Sequence, residues 1–403
     1  MKSIALKRVA MNVADRRVFS HEDQHYIGLE HIKPWTGELQ QGVEVPPDGL
    51  VGVFKKGDVL FGKLRPYLAK VAAPEFNGVC STEALILRPK KCLDQSFLRY
   101  SLATPSFIER VNSATFGVKM PRASWDNIGR ETIWLPDLAT QKRIGDFLDR
   151  ETGRIDELIM KKERLLEVLK EDLLSSLERL VSPEAPPHDA LIPFRWVCRI
   201  TEGQVDPTDP RWSNKPLIAP NHIQSGNGRL AELETAAEQG AISGKYAFPA
   251  GTVLYSKIRP NLAKACIAPV EGMCSADMYP ILPDRRLRPQ FLLMQLLSKK
   301  FTDWATLESM RVAMPKINRE TLGGYGLWVP AVETQDNAAK HFFAEKLRNE
   351  ALSDKVRESI ARLREHRTAL ITAAVTGQID VTNYGKATRD VEAVDQVSEE
   401  AFQ

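Results

Sequence analysis

Two stretches of the chain carry leucine and its relatives at every third or fourth position, with charge between them. In the first, Leu158, Leu165 or Leu166, Leu169, Leu173, Leu177 and Leu180 recur at that spacing. In the second, Leu352, Val356, Ile360, Leu363 and Leu370 do the same. The pattern predicts two amphipathic helices near heptad spacing, each running roughly 50–60 Å at 1.5 Å per residue. Gly153 lies inside the first and costs about 1 kcal/mol there, which predicts a kink or break. Two such stripes in one chain can satisfy each other as a coiled pair, leaving flanks for partners. Ahead of each stripe the pattern changes to short β-branched or aromatic runs cut by Gly and Pro, as in "VGVFKKGDVLFGKLRP" and "YAFPAGTVLYSKIRP". These predict strands and turns. One helix is expected within each such region, near "SFLRYSLATPSFIERV" and near "QFLLMQLLSKKFTDWA". Pro136 and Pro330 should each end a strand just before the long helix.

The second fact is that this order occurs twice. "GDVLFGKLRPYLAK" at 57–70 and "GTVLYSKIRPNLAK" at 251–264 share nine of fourteen letters at an offset of 194 residues. The same offset aligns "GVCSTE" with "GMCSAD", Phe97-Leu98 with Phe291-Leu292, Met120-Pro121 with Met314-Pro315, and "WLPDLATQ" with "WVPAVETQ". Upstream the offset is 191, laying "YIGLEHI" over "LIAPNHI" and Gly37 over Gly228. A repeat of this size means two large units, not a many-repeat solenoid. The division expected is 1–138 as a first β-rich domain, 139–181 as its helix, 182–193 as a linker, 194–332 as a second β-rich domain, 333–377 as its helix, and 378–403 as a tail. The linker "SPEAPPHDALIP" is proline-rich, and the acidic tail lacks periodicity and reads as disordered. Two similar globules joined through helices suit the reading of two separated places on something long.

Composition narrows the class. With 43% hydrophobic and 27% charged residues, the 403-residue chain has the make-up of a soluble globular protein with room for two domains. No apolar run approaches the roughly 18–20 residues that would span a membrane, and the charged N-terminus does not read as a secretory signal. A cytoplasmic protein without membrane contact is expected. The five cysteines are scattered, odd in number and form no CxxC, which argues against a zinc ribbon or disulfide framework. Cys80 and Cys274 occupy equivalent repeat positions and read as small buried hydrophobes. A net charge of +3 decides nothing about nucleic acid, so that case rests on local clusters.

Catalytic motifs fail on inspection. "HEDQH" at 21–25 has the HExxH letters, but its surroundings lack a helical apolar period and its repeat counterpart "WSNKP" ends in Pro216. "GAISGKY" at 240–246 is one residue short of a phosphate loop and ends in Tyr. No NPPY, FxGxG, GxSxG or GxGxxG is present. The chain therefore carries no catalytic or metal-binding constellation in its sequence. What remains is basic: Lys63, Arg65, Tyr67 and Lys70 in one strand-turn element, and Lys257, Arg259, Asn261 and Lys264 in the other. Lys119 and Arg122 flank Met120-Pro121, and Arg311, Lys316 and Arg319 flank Met314-Pro315. Taken singly, each reads equally well as a solvated charge, and Arg-Pro as a turn former. As a set duplicated on two domains they point to DNA, where Lys and Arg neutralise phosphates and Arg reads guanine.

At this point "GDVLFGKLRPYLAK", "WLPDLATQKRIGDFLDRETGRIDELIMKKERLLEVLKE" and "LREHRTALITAAVTGQIDV" resemble the specificity subunits of type I restriction-modification systems, with the likeness running from about residue 5 to 381. The resemblance implies an α+β fold: two β-rich target recognition domains, each followed by a long α-helix, the helices packed as an antiparallel coiled coil about a pseudo-twofold repeat. It implies that each domain reads one half of a bipartite double-stranded DNA site, while the helices set the spacer and dock two methylation subunits. Helix positions Leu158, Leu165, Leu169, Leu173, Val356, Ile360, Leu363 and Leu370 would serve that docking. The subunit would be non-catalytic and without a cofactor. Adenine-N6 methylation with S-adenosylmethionine, and ATP- and Mg-dependent cleavage by restriction subunits, would belong to partner chains. In the family a second proline often follows the first before each helix; here Asp137 and Ala331 stand there, with Gln141 and Gln335 kept. The loops "GLEHIKPWTGELQQGVEV" and "APNHIQSGNGRLAELETAAEQG" share little, which predicts an asymmetric target. Cutting the chain near residue 355 is expected to harm assembly before either recognition domain. The alternatives are a methylation-only or other phage-defence assembly, a zinc hydrolase using His21, Glu22 and His25, and a protein-binding scaffold with incidental charges.

Overall fold

The repeated letters become repeated ladders. The computed structural model describes residues 3–20, 25–40, 49–115, 120–182, 191–310 and 315–381. In the first half, strands Ala10–Val13, Ala84–Pro89, Val59–Gly62 and Val71–Ala72 lie in that order in an antiparallel sheet. In the second half Cys198–Ile200, Met278–Pro283, Val253–Ser256 and Ala265–Ile267 repeat the order. Register is kept residue for residue: Val59 faces Leu87 and Gly62 faces Ala84, while Val253 faces Ile281 and Ser256 faces Met278. A second four-stranded sheet in each half ends in a parallel pair, Tyr26–Ile27 with Gly78–Ser81 and Leu217–Ile218 with Gly272–Cys274. Cys80 and Cys274 are fully buried there, and burial pushes each thiol up to about 12.

A small sheet closes each half. Ser3–Ala5 pairs with Thr132–Trp134, and Leu191–Pro193 pairs with Gly326–Trp328. The stretch expected as linker therefore ends in a strand, and 183–190 lie outside the described residues. Where one helix was expected in each half, there are two: Gln95–Leu102 and Pro105–Ser113, then Pro289–Leu297 and Lys299–Ser309. Pro105 cannot continue a preceding helix and instead starts the next one, while Ser298 caps Lys299–Ser309 by accepting from Phe301 N–H.

The long helices are Leu138–Val181 and Val332–Val375. Gly153 does not break the first, because its penalty is small beside a helix of 44 residues held by packing. The first turn of each helix carries a glutamine that is fully buried, Gln141 and Gln335. Gln141 donates to the carbonyls of Cys92 and Pro136 and accepts from Asp94 N–H. Gln335 donates to those of Arg286 and Pro330 and accepts from Arg288 N–H. The proline-to-glutamine step thus clamps each helix start to its own globule.

The chain forms two compact units, 1–163 with 358–403 and 164–357, which cut across the chain-order division. The core of the first includes Ile144, Phe147 and Leu148 from one long helix and Leu370, Ile371, Ala374 and Val375 from the other. The core of the second includes Leu177 and Val181 together with Ala338, Ala339 and Phe342. Within each unit the two helix segments run antiparallel. In the first, Arg367 chelates Asp156 and Arg364 meets Glu163; in the second, Ser176 bonds Glu345 and Asn349 bonds the Leu169 carbonyl. Val356, Ile360 and Leu370 are buried, whereas Leu158, Leu165, Leu169, Leu173 and Leu363 are half-buried.

Two expectations are corrected here. A cut near residue 355 would remove part of the first unit's core, so that fold would suffer directly. The tail expected from 378 onward starts later, since Ile379 and Val381 pack on the same core; 382–403 lie outside the described residues.

Candidate nucleic-acid interface

The duplicated basic element leaves a central strand of each unit and turns sharply. After Val59–Gly62 the chain passes Lys63 and Leu64 to Arg65, then a single 3₁₀ turn, Pro66–Leu68. After Val253–Ser256 it passes Lys257 and Ile258 to Arg259 and the turn Pro260–Leu262. Arg65 and Arg259 sit in the left-handed region at φ 51° and 48°, and Ala69 and Ala263 follow at φ 47° and 44°. Left-handed backbone costs a residue with a Cβ roughly 1–2 kcal/mol, so each element stores about 2–4 kcal/mol. Strain of this kind survives where neighbouring structure enforces it, and it clusters at functional sites.

The enforcing structure is the second basic stretch. Leu64 bridges Arg122, and Ile258 bridges Lys316. Arg65 N–H donates to the Pro121 carbonyl and Arg259 N–H to that of Pro315, both at 2.9 Å. On the other flank Lys63 N–H donates to Glu83, and Lys257 N–H to Asp277. The two clusters read separately in sequence are therefore one site in each unit.

Within that site the candidates divide. Lys70 Nζ donates to the Leu29 carbonyl at 2.5 Å and Lys264 Nζ to that of Pro220 at 2.6 Å, so these ammonium groups point inward and hold the preceding loop. Arg65, Tyr67, Arg259 and Asn261 are exposed, and their side chains make no hydrogen bond, ion pair or ring contact among the described residues. Lys63 is half-buried. Lys119 and Arg311 lie outside the described residues.

The units differ in how they balance charge. Arg122 pairs with Glu83 at 3.1 Å. Its counterpart Lys316 is exposed and makes no ion pair among the described residues. In the second unit Lys257 Nζ and the Arg319 guanidinium lie 5.4 and 5.7 Å from the centre of the Tyr279 ring, and Arg319 also pairs with Glu202. Burial lowers the Lys257 pKa, and the nearby positive charge of Lys316 lowers it further. Tyr279 was not singled out in sequence. Its signal is that Leu85 stands at the equivalent position, an aromatic replacing an aliphatic beside the basic element.

Among the described residues no group of three or more His, Cys, Asp or Glu could hold an ion. His25 precedes the strand Tyr26–Ile27 in irregular backbone, not on a helix, and His21 and Glu22 lie outside the described residues. No described helix is long and apolar enough to cross a membrane.

Comparison with known proteins agrees. Residues 52–168 match the type I restriction modification DNA specificity domain. The chain is 32% identical over 197 residues to the type I restriction enzyme EcoDI specificity subunit of Escherichia coli. That match spans 49% of this chain and 44% of the relative, less than half the relative's length. The fold is similar to a chain solved in work on complex assembly and conformational transition of the type I R-M system, with a TM-score of 0.74 at 17% identity over 94% of this chain and 98% of that one. It is also similar to the HsdS subunit from Thermoanaerobacter tengcongensis, with a TM-score of 0.52 at 19% identity over 94% and 97% of the two chains. Residues 52–168 are thus similar to a type I restriction modification DNA specificity domain, and the fold over nearly the whole chain is similar to these two solved chains.

Proposed function

We propose that each unit reads one half of an asymmetric, bipartite double-stranded DNA site, and that the long helices set the spacer and dock two methylation subunits, to which restriction subunits add. On this reading the chain selects the sequence and does no chemistry. Adenine-N6 methylation from S-adenosylmethionine and ATP- and Mg-dependent cleavage reside on the partner chains, in the cytoplasm. One observation carries the proposal: a strained Arg-Pro element occurs on both units in the same register, with its arginine exposed and unpaired. The fixed backbone sets where each arginine leaves the protein, and its guanidinium has no internal partner to give up on meeting phosphate or a guanine edge. The divergence of the loops around 28–45 and 219–240 supports two different half-sites.

The test is the adenine methylome of the source strain with and without the gene. Loss of one bipartite, spacer-interrupted motif is the expected result, and persistence of every motif would overturn the proposal. Binding of the purified chain to duplex DNA should also weaken steeply with salt, as phosphate neutralisation requires.

A further inference from the structure

The two copies of the strained element hold one backbone but offer different chemistry at one exposed position. Arg65 and Arg259 have φ/ψ of 51°/60° and 48°/60°, and Ala69 and Ala263 have 47°/47° and 44°/52°. Between them the turns read Pro66-Tyr67-Leu68 and Pro260-Asn261-Leu262. Proline before and left-handed alanine after fix both turns alike, so residues 67 and 261 leave the protein from equivalent backbone. Both side chains are exposed, Tyr67 at 45%, and neither has a polar or aromatic partner among the described residues.

The Tyr67 hydroxyl and the Asn261 amide thus keep their hydrogen-bonding capacity beside a strained arginine. The neighbouring stretch is alike in sequence, Met120-Pro121-Arg122 in the first unit and Met314-Pro315-Lys316 in the second, so the turn residue itself is where the two elements differ. An asparagine amide offers one donor and one acceptor, the pair that matches N6 and N7 of adenine in the major groove. A tyrosine ring offers a flat apolar face suited to the thymine methyl group.

Building on the proposed DNA recognition, we propose that positions 67 and 261 determine specificity: Asn261 reads an adenine in one half-site, and Tyr67 packs on a thymine methyl in the other. Arg65 and Arg259 supply the common anchor, and the residue two places on supplies the discrimination.

The experiment places Asn261→Ala and Tyr67→Asn, separately, at the native chromosomal locus, so that the natural assembly forms, and reads each methylome against wild type and gene deletion. Asn261→Ala should relax one position of one half-site, with previously excluded bases gaining about ten- to hundredfold in relative methylation. Tyr67→Asn should shift one position of the other half-site from thymine towards adenine. An unchanged motif in both variants overturns the assignment. So does a uniform loss of methylation with base preferences intact, which would mean phosphate holding or a structural role, and so do two variants that alter the same half-site. A gene deletion that leaves every motif in place strikes the underlying reading of DNA recognition instead, and it is recognised before any variant is compared.

Discussion

The first and second units carry the same ladder register and the same strained turn, yet they balance the charge around it differently. In the first, Glu83 neutralises Arg122, and an aliphatic residue, Leu85, lies where the second unit has Tyr279. In the second, Lys316 makes no ion pair among the described residues, and Lys257 and Arg319 share one aromatic ring. The scaffold was copied, while the electrostatics at its edge were free to drift. A frame fixed by backbone bonds tolerates such drift because the Arg-Pro turn is held by main-chain groups, Pro121 and Pro315 carbonyls among them, and not by the variable side chains.

The most severe way to break the symmetry of the units is to end the chain at Arg357. That removes Leu370, Ile371, Ala374 and Val375 from the first unit's core and nothing from the second's. Burial of two or three such side chains is worth about 5 kcal/mol or more, so the first unit should lose amide protection while the second keeps it. Hydrogen exchange resolved along the chain would show this, and equal protection in both units would contradict the core assignment.

Next in size are the clamps. Gln141→Ala would leave the Asp94 N–H and the Cys92 and Pro136 carbonyls without the partner that a fully buried side chain supplies. A loss of about 3 kcal/mol is expected, confined to the first unit. Gln335→Ala should do the same to the second. Denaturant melts followed by exchange in each unit would measure both, and a shared effect would mean that the clamps are not local.

The charge difference gives a smaller, functional effect. Lys316→Ala should reduce the salt dependence of DNA binding by about one phosphate contact. Arg122→Ala should change it less, because Glu83 already holds that guanidinium. Glu83→Gln should then raise the first unit's dependence towards the second's. Binding titrations at several salt concentrations decide this, and equal slopes for Arg122→Ala and Lys316→Ala would remove the distinction.

These contrasts also show what could be read from sequence. The repeat and both long helices were legible because identity at a fixed offset and heptad spacing are one-dimensional signals, and the buried Cys80 and Cys274 followed from their matched positions. The pairing of Arg122 with Glu83 was not legible, since it depends on a bridge between residues 64 and 122. The left-handed conformation of Arg65 and Arg259 ran against propensity: a residue before proline is expected in extended backbone, and only the tertiary bonds to Pro121 and Pro315 reverse that. Amphipathic spacing gave two helices that could pair with each other but not which globule each helix end enters, so the entry of residues 370–375 into the first unit's core was invisible. Lys70 and Lys264 looked no different from Lys63 in sequence, although they face inward.

The smallest effect concerns the residue after each pre-helix proline. Asp137 accepts from Thr140 through both its hydroxyl and its N–H, capping the first long helix, whereas Ala331 has no side chain to do so for the second. Those two bonds, the hydroxyl's foremost, hold the Asp137 carboxyl below its ordinary range. A carboxylate with a depressed folded pKa contributes fully above its unfolded value, and the contribution fades as pH falls through the folded one. Amides at the start of the first long helix should therefore exchange faster as pH falls below the usual aspartate range, once the intrinsic rate is allowed for, while those at the start of the second should not. Asp137→Ala should abolish the difference and Ala331→Asp should create it in the second helix. If the first helix start shows no such pH dependence, the cap is incidental and Gln141 alone fixes where that helix begins.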